Sequence, residues 1–364
     1  PYSEAGLGYY QQIYKPKYDN QETIYKDMIQ QVKDGVNLLN ANNPAIDGDL
    51  FYDGDINKWK KFGGSLLLRI GMRLSEVAPD LAKQTVADAV TIGVMSQPED
   101  ICLLRHDGSG KNAFKNPLSF RYLDDNFIES DAVKIGKTFM DYLKKTKDPR
   151  IHVYCSLKDG NTEFDKQFGL PNGYDSHTIA DAPSGSFVGL ENTSNFNINT
   201  ILRLDAPTIF LMPSETKLLL AEAVLRNWTN GNAEVLYKEA ITSSMKEQEI
   251  AYGTQGKITD EEIETYLAQN LFSTANNTEK LQIIGEQYWV ATFINGYESY
   301  ANWRRTGYPK LIPTNYSGSM SPGVIPTRLP YPTDEYSINR ANVDTANQQQ
   351  GADKVTTHIW WDID

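Results

Sequence analysis

Two helical patterns separated by a four-residue turn constrain the fold of this chain most strongly. Residues 214–228 read SETKLLLAEAVLRNW and are apolar nearly all round, which is typical of a helix buried on most sides. The turn TNGN follows, and residues 233–248 then place apolar side chains at helical spacing. Because so short a turn brings two helices side by side, the pattern predicts a helical hairpin.

Helical periodicity recurs in the first quarter of the chain. In residues 22–39 the apolar side chains fall on one stripe, and Asp19 or Asn20 is placed to cap that helix. Residues 57–75 repeat the pattern, and Pro79 is placed at the beginning of a further helix. A second hairpin is therefore expected upstream of the first.

A last long helix is expected from about Thr278 to Gly296, resuming over residues 297–305. The chain is therefore predicted to be mainly α and to resemble an α-solenoid of helical hairpins. It has no clean self-match at the tetratricopeptide period, so we expect any repeats to be degenerate.

Long polar stretches lie between the predicted helices, at residues 104–127, 154–200 and 306–364. They are rich in Gly, Asn, Asp, Pro and aromatic residues, and they are longer than most loops in compact domains. Binding surfaces are commonly built from long ordered loops on a rigid frame.

Charge and hydropathy exclude two classes of function. The chain has 364 residues, with 35 Lys and Arg against 47 Asp and Glu, which gives a formal net charge of −12. Affinity for nucleic acid rests mainly on cations that neutralise phosphates, and the adjacent Arg304 and Arg305 supply only two. We therefore exclude nucleic acid as a partner. No window approaches 18 apolar residues, so no membrane-spanning helix is expected.

Metal and cofactor sites have weak support in the sequence. The stretch DGDLFYDGDIN at 47–57 spaces its side-chain oxygens by two, as calcium ligands require, but the EF-hand pattern fails at its sixth position, Lys58. Asp55 and Asn57 are better placed to cap the following helix, and a cation near Asp53 and Asp55 is the alternative. The histidines are isolated, which argues against zinc, and no cofactor is expected.

The sequence contains two cysteines, Cys102 and Cys155, outside any metal-binding or redox spacing. Either they are reduced and buried or they form one disulfide, and the sequence leaves both alternatives open.

Aromatic residues in the stretch 154–200 are the remaining signal for a site. Sugar rings have apolar faces that stack on aromatic rings, and their hydroxyls form hydrogen bonds with polar side chains. The alternative is that these rings only pin the loop to the helices. We predict a ligand site made of four rings and two polar partners: Tyr154, Phe164, Phe168, Tyr174, Asn172 and Asp175.

Several blocks in this order resemble the SusD/RagB-like outer-membrane nutrient-binding lipoproteins. The blocks are PYSEA at 1–5, GDINKWKKFGGSLLLRIGMRLS at 54–75, KDPRI at 147–151, the hairpin at 214–245, WRRTGYPKL at 303–311, TRLPYPTDEYSIN at 327–339 and HIWWD at 358–362. The likeness runs from end to end. It departs at Gly63 and Gly64, where the family more usually has Ala-Asn, and two interior glycines should weaken that helix locally.

The resemblance implies a single domain over residues 1–364, with tetratricopeptide-like hairpins that support a loop-rich ligand face. It implies a non-catalytic protein, lipid-anchored on the extracellular face of the outer membrane. Such proteins cover a SusC-like TonB-dependent transporter and capture oligosaccharides for import. Family members also carry a signal peptide, a lipidated Cys and first helices ahead of a PYSEA-like block, so we expect this chain to be the C-terminal portion of a longer lipoprotein.

Two other functions remain as alternatives. Some members of the family handle peptides, so a helical scaffold that binds peptide or protein is the first. An α-helical glycoside hydrolase is the second, because its carboxylate pair is defined by distance in space and is invisible in sequence. The resemblance argues against catalysis.

The paired arginines fall at the C-terminal end of a predicted helix, where cations meet the negative end of the helix dipole. We expect a carboxylate on a packed helix, Glu215, Glu222 or Glu286, to be the partner of Arg305. The residues assigned to structure rather than to ligand binding are Trp59, Glu222, Trp303, Arg304 and Arg305.

Overall fold

The structure is a computed structural model that describes residues 1–40, 42, 46–124, 133–272 and 276–363. Positions 125–127 of the first polar stretch and position 364 of the last lie outside the described residues. Within them the helices, in chain order, are α1 (Gly8–Gln11), α2 (Gln21–Leu38), α3 (Ile56–Arg73), α4 (Pro79–Ile92), α5 (Pro117–Asp124), α6 (Lys137–Thr146), α7 (Ile151–Tyr154), α8 (Pro213–Leu225), α9 (Ala233–Tyr252), α10 (Asp260–Gln269), α11 (Asn277–Ala291), α12 (Gly296–Thr306), α13 (Thr333–Ile338) and α14 (Arg340–Gln350).

Strands and single helical turns fill the loops. The strands pair antiparallel, β1 (Cys102–Leu104) with β4 (Thr208–Leu211) and β2 (Cys155–Ser156) with β3 (Asn195–Phe196). The 3₁₀ turns are Pro98–Asp100, Asn112–Phe114, Phe164–Lys166, Ile179–Asp181, Leu190–Asn192 and Gly253–Gly256.

Helical hairpins form the frame, which confirms the predicted fold class. Helix α3 packs on α4, α8 packs on α9, and α11 joins α8 to α12. Ten of the 13 residues of α8 are buried, as its all-round apolar sequence predicts. None of the helices described here is both long and apolar enough to cross a bilayer.

The helix boundaries agree closely with the sequence patterns. Helix α2 begins after Asn20, whose Oδ1 accepts a hydrogen bond from the backbone of Glu22 at 2.8 Å. The long helix predicted from Thr278 is two helices, α11 and α12, because the chain turns after Thr292 and Asn295 caps the second one.

The two glycines that depart from the family pattern lie where α3 meets its neighbours. A methyl group at Gly64 would lie 2.0 Å from the carbonyl oxygen of Gly93, just after α4. A methyl group at Gly63 would lie 2.3 Å from Cγ2 of Val36 on α2. Both glycines therefore permit a close approach of helices that larger residues would prevent.

Trp59 anchors the beginning of α3. Its Nε1 donates to Asp49 Oδ2 at 2.7 Å, and its ring packs edge-on against Tyr52 and Phe62. Asp55 caps the helix, since its carboxylate accepts hydrogen bonds from the next two backbone amides that follow Ile56. No group of three His, Cys, Asp or Glu residues in the described ranges is arranged to hold a metal ion.

Cys102 and Cys155 are both free and buried, in β1 and β2 respectively. Burial raises the pKa of the Cys102 thiol to about 11 and that of Cys155 further still. The structure therefore has two reduced, unreactive thiols and no bridge between them.

Buried ion pairs hold the hairpins together. Arg69 on α3 donates to Glu215 on α8, with Nη2 to Oε2 at 2.7 Å, and Arg73 pairs with Glu298 on α12. The Tyr288 hydroxyl of α11 also donates to Glu298, at 2.8 Å. Glu215, one of the three carboxylates considered for Arg305, is therefore engaged with Arg69.

Glu222 on α8 is the partner of Arg305. The two guanidinium nitrogens Nη1 and Nη2 lie 2.6 and 2.7 Å from the two carboxylate oxygens. Arg305 also donates to Asn302 Oδ1 and Ser75 Oγ, and Glu222 accepts a further hydrogen bond from Arg226. Although burial opposes ionisation, the Arg305 guanidinium holds the pKa of Glu222 below its ordinary value.

Arg304 ties the C-terminal segment to α12 through two aromatic rings. Its guanidinium lies 4.2 Å from the ring centre of Tyr300 and 4.6 Å from that of Trp361. It also donates to the carbonyl of Thr327 at 2.7 Å. Trp303 stacks on Tyr300, with 14° between the ring planes.

A buried carboxyl group makes the stability of the α8–α9 hairpin depend on pH. Glu247 on α9 accepts hydrogen bonds from the backbone N and the Oγ of Ser214, in the first turn of α8. Burial raises the pKa of Glu247 to about 7; the two Ser214 contacts and Lys217 lower it, and Glu215 raises it.

We expect the Glu247→Gln variant to gain stability relative to the natural chain as pH rises from 5 to 8. The unfolded chain releases this proton near pH 4.5, whereas the folded chain retains it until about pH 7, so Glu247 destabilises the fold progressively across that interval. The pKa difference corresponds to about 3 kcal/mol. Urea denaturation of both proteins at several pH values measures it, and a constant difference between the two curves would contradict the assignment.

Candidate functional site

The polar stretch 154–200 is fastened to the frame at several points. Strands β2 and β3, near the two ends of this stretch, pair with each other. The backbone of Leu170 forms hydrogen bonds with the backbones of Ile135 and Lys137 at the start of α6. Gly169 allows this approach, since a methyl group there would lie 2.4 Å from Cα of Lys137. The segment between these points is therefore an ordered surface loop.

The prediction that Tyr154 contributes a ligand-facing ring is wrong. Its side chain is 2% exposed, its ring packs against Phe293 at 5.0 Å and Phe139 at 6.5 Å, and its hydroxyl donates to the carbonyl of Val290. A ring that is enclosed on all sides cannot stack on a ligand, so Tyr154 belongs to the core.

Phe168 is exposed, Phe164 is half-buried against the hydrophobic core, and both rings lie near one cation. The ammonium of Lys144 on α6 lies 4.2 Å from the ring centre of Phe168 and 6.0 Å from that of Phe164. Lys144 also donates to the carbonyl of Gln167 at 2.7 Å, which fixes it beneath the loop. Phe168 is 39% exposed, so part of a large ring is open to solvent.

Asp175 fastens two loops to each other. Its Oδ1 accepts hydrogen bonds from the backbone of His177 and from the backbone and hydroxyl of Thr178, and its Oδ2 accepts one from the Tyr316 hydroxyl at 2.6 Å. The Tyr316 hydroxyl, together with these amides, holds the pKa of Asp175 well below its ordinary range. Both carboxylate oxygens of Asp175 therefore help to hold the two loops in their observed arrangement.

A second close approach joins the same two loops. Gly173 has a φ of +86°, and a methyl group on it would lie 2.8 Å from Cβ of Thr314. Beside it, Asn172 is exposed and Tyr174 is half-buried. We call the surface formed by residues 164–178 and 312–320 the loop face.

The loop face continues into a groove beside Phe164. The groove has a volume of about 680 Å³ and is walled on its other side by α10. Its polar lining includes His152, Thr265 and Gln269, and Tyr266 contributes to its apolar wall. Aromatic surface beside a few polar groups is typical of a small-molecule site.

Lys144 and Tyr316 were missed by sequence reasoning. Tyr316 is 42% exposed and lies in a loop rich in Gly, Ser and Pro. An aromatic residue in a polar, glycine-rich loop is the same sequence signal that led to the rings of the first loop. Lys144 lies in the last turn of α6, where a basic residue is commonly read as a helix-stabilising charge. Five of the six predicted ligand residues, all except Tyr154, lie on the loop face and remain predictions as ligand contacts.

The chain is similar to a known protein family and to several solved structures. A family model named SusD-like, described as "Starch-binding associating with outer membrane", matches residues 1–332. A solved structure of a chitin-binding protein shares 32% sequence identity, with a TM-score of 0.84, over 100% of this chain and 76% of the other.

Two further structures are similar. A chitin-binding SusD homologue from Flavobacterium johnsoniae shares 25% identity, with a TM-score of 0.81, over 100% of this chain and 76% of its own. A SusD homologue from Bacteroides uniformis shares 26% identity, with a TM-score of 0.79, over 96% of this chain and 74% of its own. No curated protein matches the chain.

Proposed function

Since the chain belongs to the SusD-like family of non-catalytic nutrient-binding proteins, we propose that it is the glycan-binding component of a nutrient-uptake complex at the outer membrane. The observation that carries this proposal is the similarity, along the whole chain, to a chitin-binding protein at 32% identity. It supports oligosaccharides of the chitin type as the first ligand class to test.

The loop face supplies the chemistry that such a ligand needs. The partly open rings of Phe168 and Tyr316 offer flat apolar surface, and Asn172 offers an exposed amide. Sugar rings stack on aromatic faces while their hydroxyls exchange hydrogen bonds with amides. The Asp175–Tyr316 hydrogen bond holds the two loops in one arrangement before a ligand binds, which lowers the entropic cost of binding.

The proposed location and partner follow from family membership. The protein is a RagB-like lipoprotein, made with a signal peptide that is removed, and it forms a single SusD-like domain on the extracellular face of the membrane. Its partner is a SusC-like TonB-dependent transporter, which takes up the captured oligosaccharide. The family description as a protein associating with the outer membrane supports this arrangement.

Alanine at both Phe168 and Tyr174 is expected to weaken the binding of chitin oligosaccharides at least about tenfold. Each lost aromatic contact costs about 0.5–1.5 kcal/mol beyond the area that it covers. Isothermal titration of the natural and variant proteins gives both Kd values. The matched control is Tyr9→Ala with Tyr10→Ala, since these rings are 89% and 82% exposed at a distant part of the chain.

Unchanged affinity in the loop-face variant, with the control also unchanged, would show that the ligand binds elsewhere. The peptide-binding and hydrolase alternatives predict different results with the same purified protein. Peptides that raise Tm while oligosaccharides do not would favour a peptide-binding scaffold. Release of new reducing ends from a bound oligosaccharide would establish a hydrolase and overturn the proposal.

A further inference from the structure

The groove beside Phe164 runs along one face of α10. Glu261, Thr265 and Gln269 line it at helical spacing, which places the three side chains on the same side of the helix. At the rise of an α-helix this wall is about 12 Å long, which is longer than a single sugar ring. All of the lining comes from the interior of the chain, between Lys147 and Gln269.

The polar groups of the groove are within reach of a ligand. Thr265 and Gln269 are exposed on the α10 wall, and Thr162 is half-buried on the opposite wall. Within the described part of the chain, the side chains of Thr265 and Gln269 have no hydrogen-bond partner. Their hydroxyl and amide groups can therefore bind a ligand without first breaking a contact within the protein.

The groove is continuous with the loop face through Phe164, which belongs to both. The ammonium of Lys144 lies 4.2 Å from the ring centre of Phe168 and 6.0 Å from that of Phe164, so the two rings are neighbours. A glycan chain that stacks on the exposed ring of Phe168 can therefore continue past Phe164 into the groove.

The charges along the groove select the kind of chain. Glu261 and Glu262 lie in the first turn of α10 and line the groove at that end. Lys147 lines the other end, where Asn270 after α10 contacts Thr146. A ligand with charge of a single sign is attracted at one end and repelled at the other. The space between the two ends therefore suits a neutral chain.

The middle of the groove has the surface that a neutral sugar needs. The rings of Phe164 and Pro149 offer apolar surface. The hydroxyls of Thr162 and Thr265 can donate to and accept from sugar hydroxyls. We propose that the groove is a second subsite for the same glycan chain and binds the neutral sugar units beyond those on the loop face. The protein then selects glycans by length, because only a long chain occupies both subsites at once.

Both walls of the groove are held in place in the absence of a ligand. Asn270, at the end of α10, donates from Nδ2 to the carbonyl of Thr146 at 3.1 Å, which ties this wall to α6. In the opposite wall, Gln167 Nε2 donates to the carbonyl of Asn161 at 2.9 Å. A preformed subsite loses little conformational entropy when a ligand occupies it.

This inference rests on the proposed function, so its test uses the same ligand class. Isothermal titration with N-acetylglucosamine oligomers is expected to give tighter binding of the hexamer than of the dimer. Thr265→Ala with Gln269→Ala should weaken hexamer binding about tenfold, because two hydrogen bonds are lost, and should leave dimer binding unchanged. The control is Glu264→Ala, an exposed residue of the same helix outside the groove lining.

A second variant blocks the groove by volume. Thr265→Trp places a large ring between the two walls and should reduce hexamer affinity to that of the dimer. The matched control is Ala268→Trp, since Ala268 is exposed on α10 but does not line the groove. The Tm of each variant shows whether the fold is intact, and a reduced hexamer affinity in both groove variants but in neither control supports the inference.

The failures of the inference and of the proposed function are distinguishable. If the hexamer bound no more tightly than the dimer, or if both groove variants kept the natural hexamer affinity, the inference would be overturned and the proposed function would stand. Loss of dimer binding in Thr265→Trp, with an unchanged Tm, would make the groove the primary site and would also overturn the inference. Binding of no oligomer to the correctly folded natural protein would overturn the proposed function and the inference together.

Discussion

Replacing Arg305 by alanine is expected to lower the free energy of unfolding by about 3 kcal/mol. The Arg305 and Glu222 side chains are 2% and 3% exposed and form a two-armed ion pair, so removal of the cation leaves a buried carboxylate without its main partner. Breaking a buried pair in this way costs about 3–5 kcal/mol. We expect the lower end of that range, because Arg226 still donates to Glu222 at 2.9 Å.

Chemical denaturation at neutral pH measures this loss. Arg203→Ala is the matched control, since the Arg203–Asp205 pair is 38% and 44% exposed and its removal should cost less than about 1 kcal/mol. Glycan affinity of correctly folded Arg305→Ala should equal that of the natural protein. If the variant had normal stability but had lost its affinity for the glycan, Arg305 would have to be assigned to ligand binding and not to the stability of the fold.

Gly64→Ala is expected to lower the free energy of unfolding by about 2–3 kcal/mol. Alanine favours a helix over glycine by about 1 kcal/mol, so propensity alone predicts a gain. The new methyl group would lie 2.0 Å from the carbonyl oxygen of Gly93 and 3.2 Å from that of Ala89. Because backbone atoms cannot move aside as a flexible side chain can, α3 and α4 must separate, and such overpacking outweighs the propensity.

Gly35→Ala in α2 provides the opposite expectation in the same protein. Within the described residues, no atom beyond its chain neighbours and its own helix lies within 4 Å of a methyl group placed there. The substitution should therefore stabilise the protein by up to about 1 kcal/mol. If Gly64→Ala were stabilising as well, the close contact between α3 and α4 could not be present in solution.

Periodicity predicted the long helices well because each buries an apolar face against a neighbour. Helix α14 was not predicted, because only Val343 and Ala346 are buried along its length and its sequence therefore lacks an apolar stripe. Helix α10 was also missed, although Thr259 and Glu262 form a capping box that is visible in the sequence. Its short amphipathic pattern in a polar setting resembles that of a loop.

The candidate site was harder to predict because it depends on contacts between distant parts of the chain. Composition singled out the loop over residues 154–200 as a candidate, but it does not distinguish an exposed ring such as Phe168 from a buried one such as Tyr154. That distinction depends on Phe139 and Phe293, which reach Tyr154 from elsewhere in the chain. The choice of Glu222 over Glu215 for Arg305 likewise requires knowledge of which helices cross, and periodicity does not supply it.

The hydrogen bond between Asp175 and Tyr316 joins positions 141 residues apart and makes the two halves of the loop face interdependent. Substitutions in one loop should therefore change the effect of substitutions in the other, so their contributions to ligand preference should be epistatic. An evolutionary change in the ligand preference of this surface would then require paired replacements in both loops. The buried helical frame, which neither loop needs to alter, would be inherited unchanged.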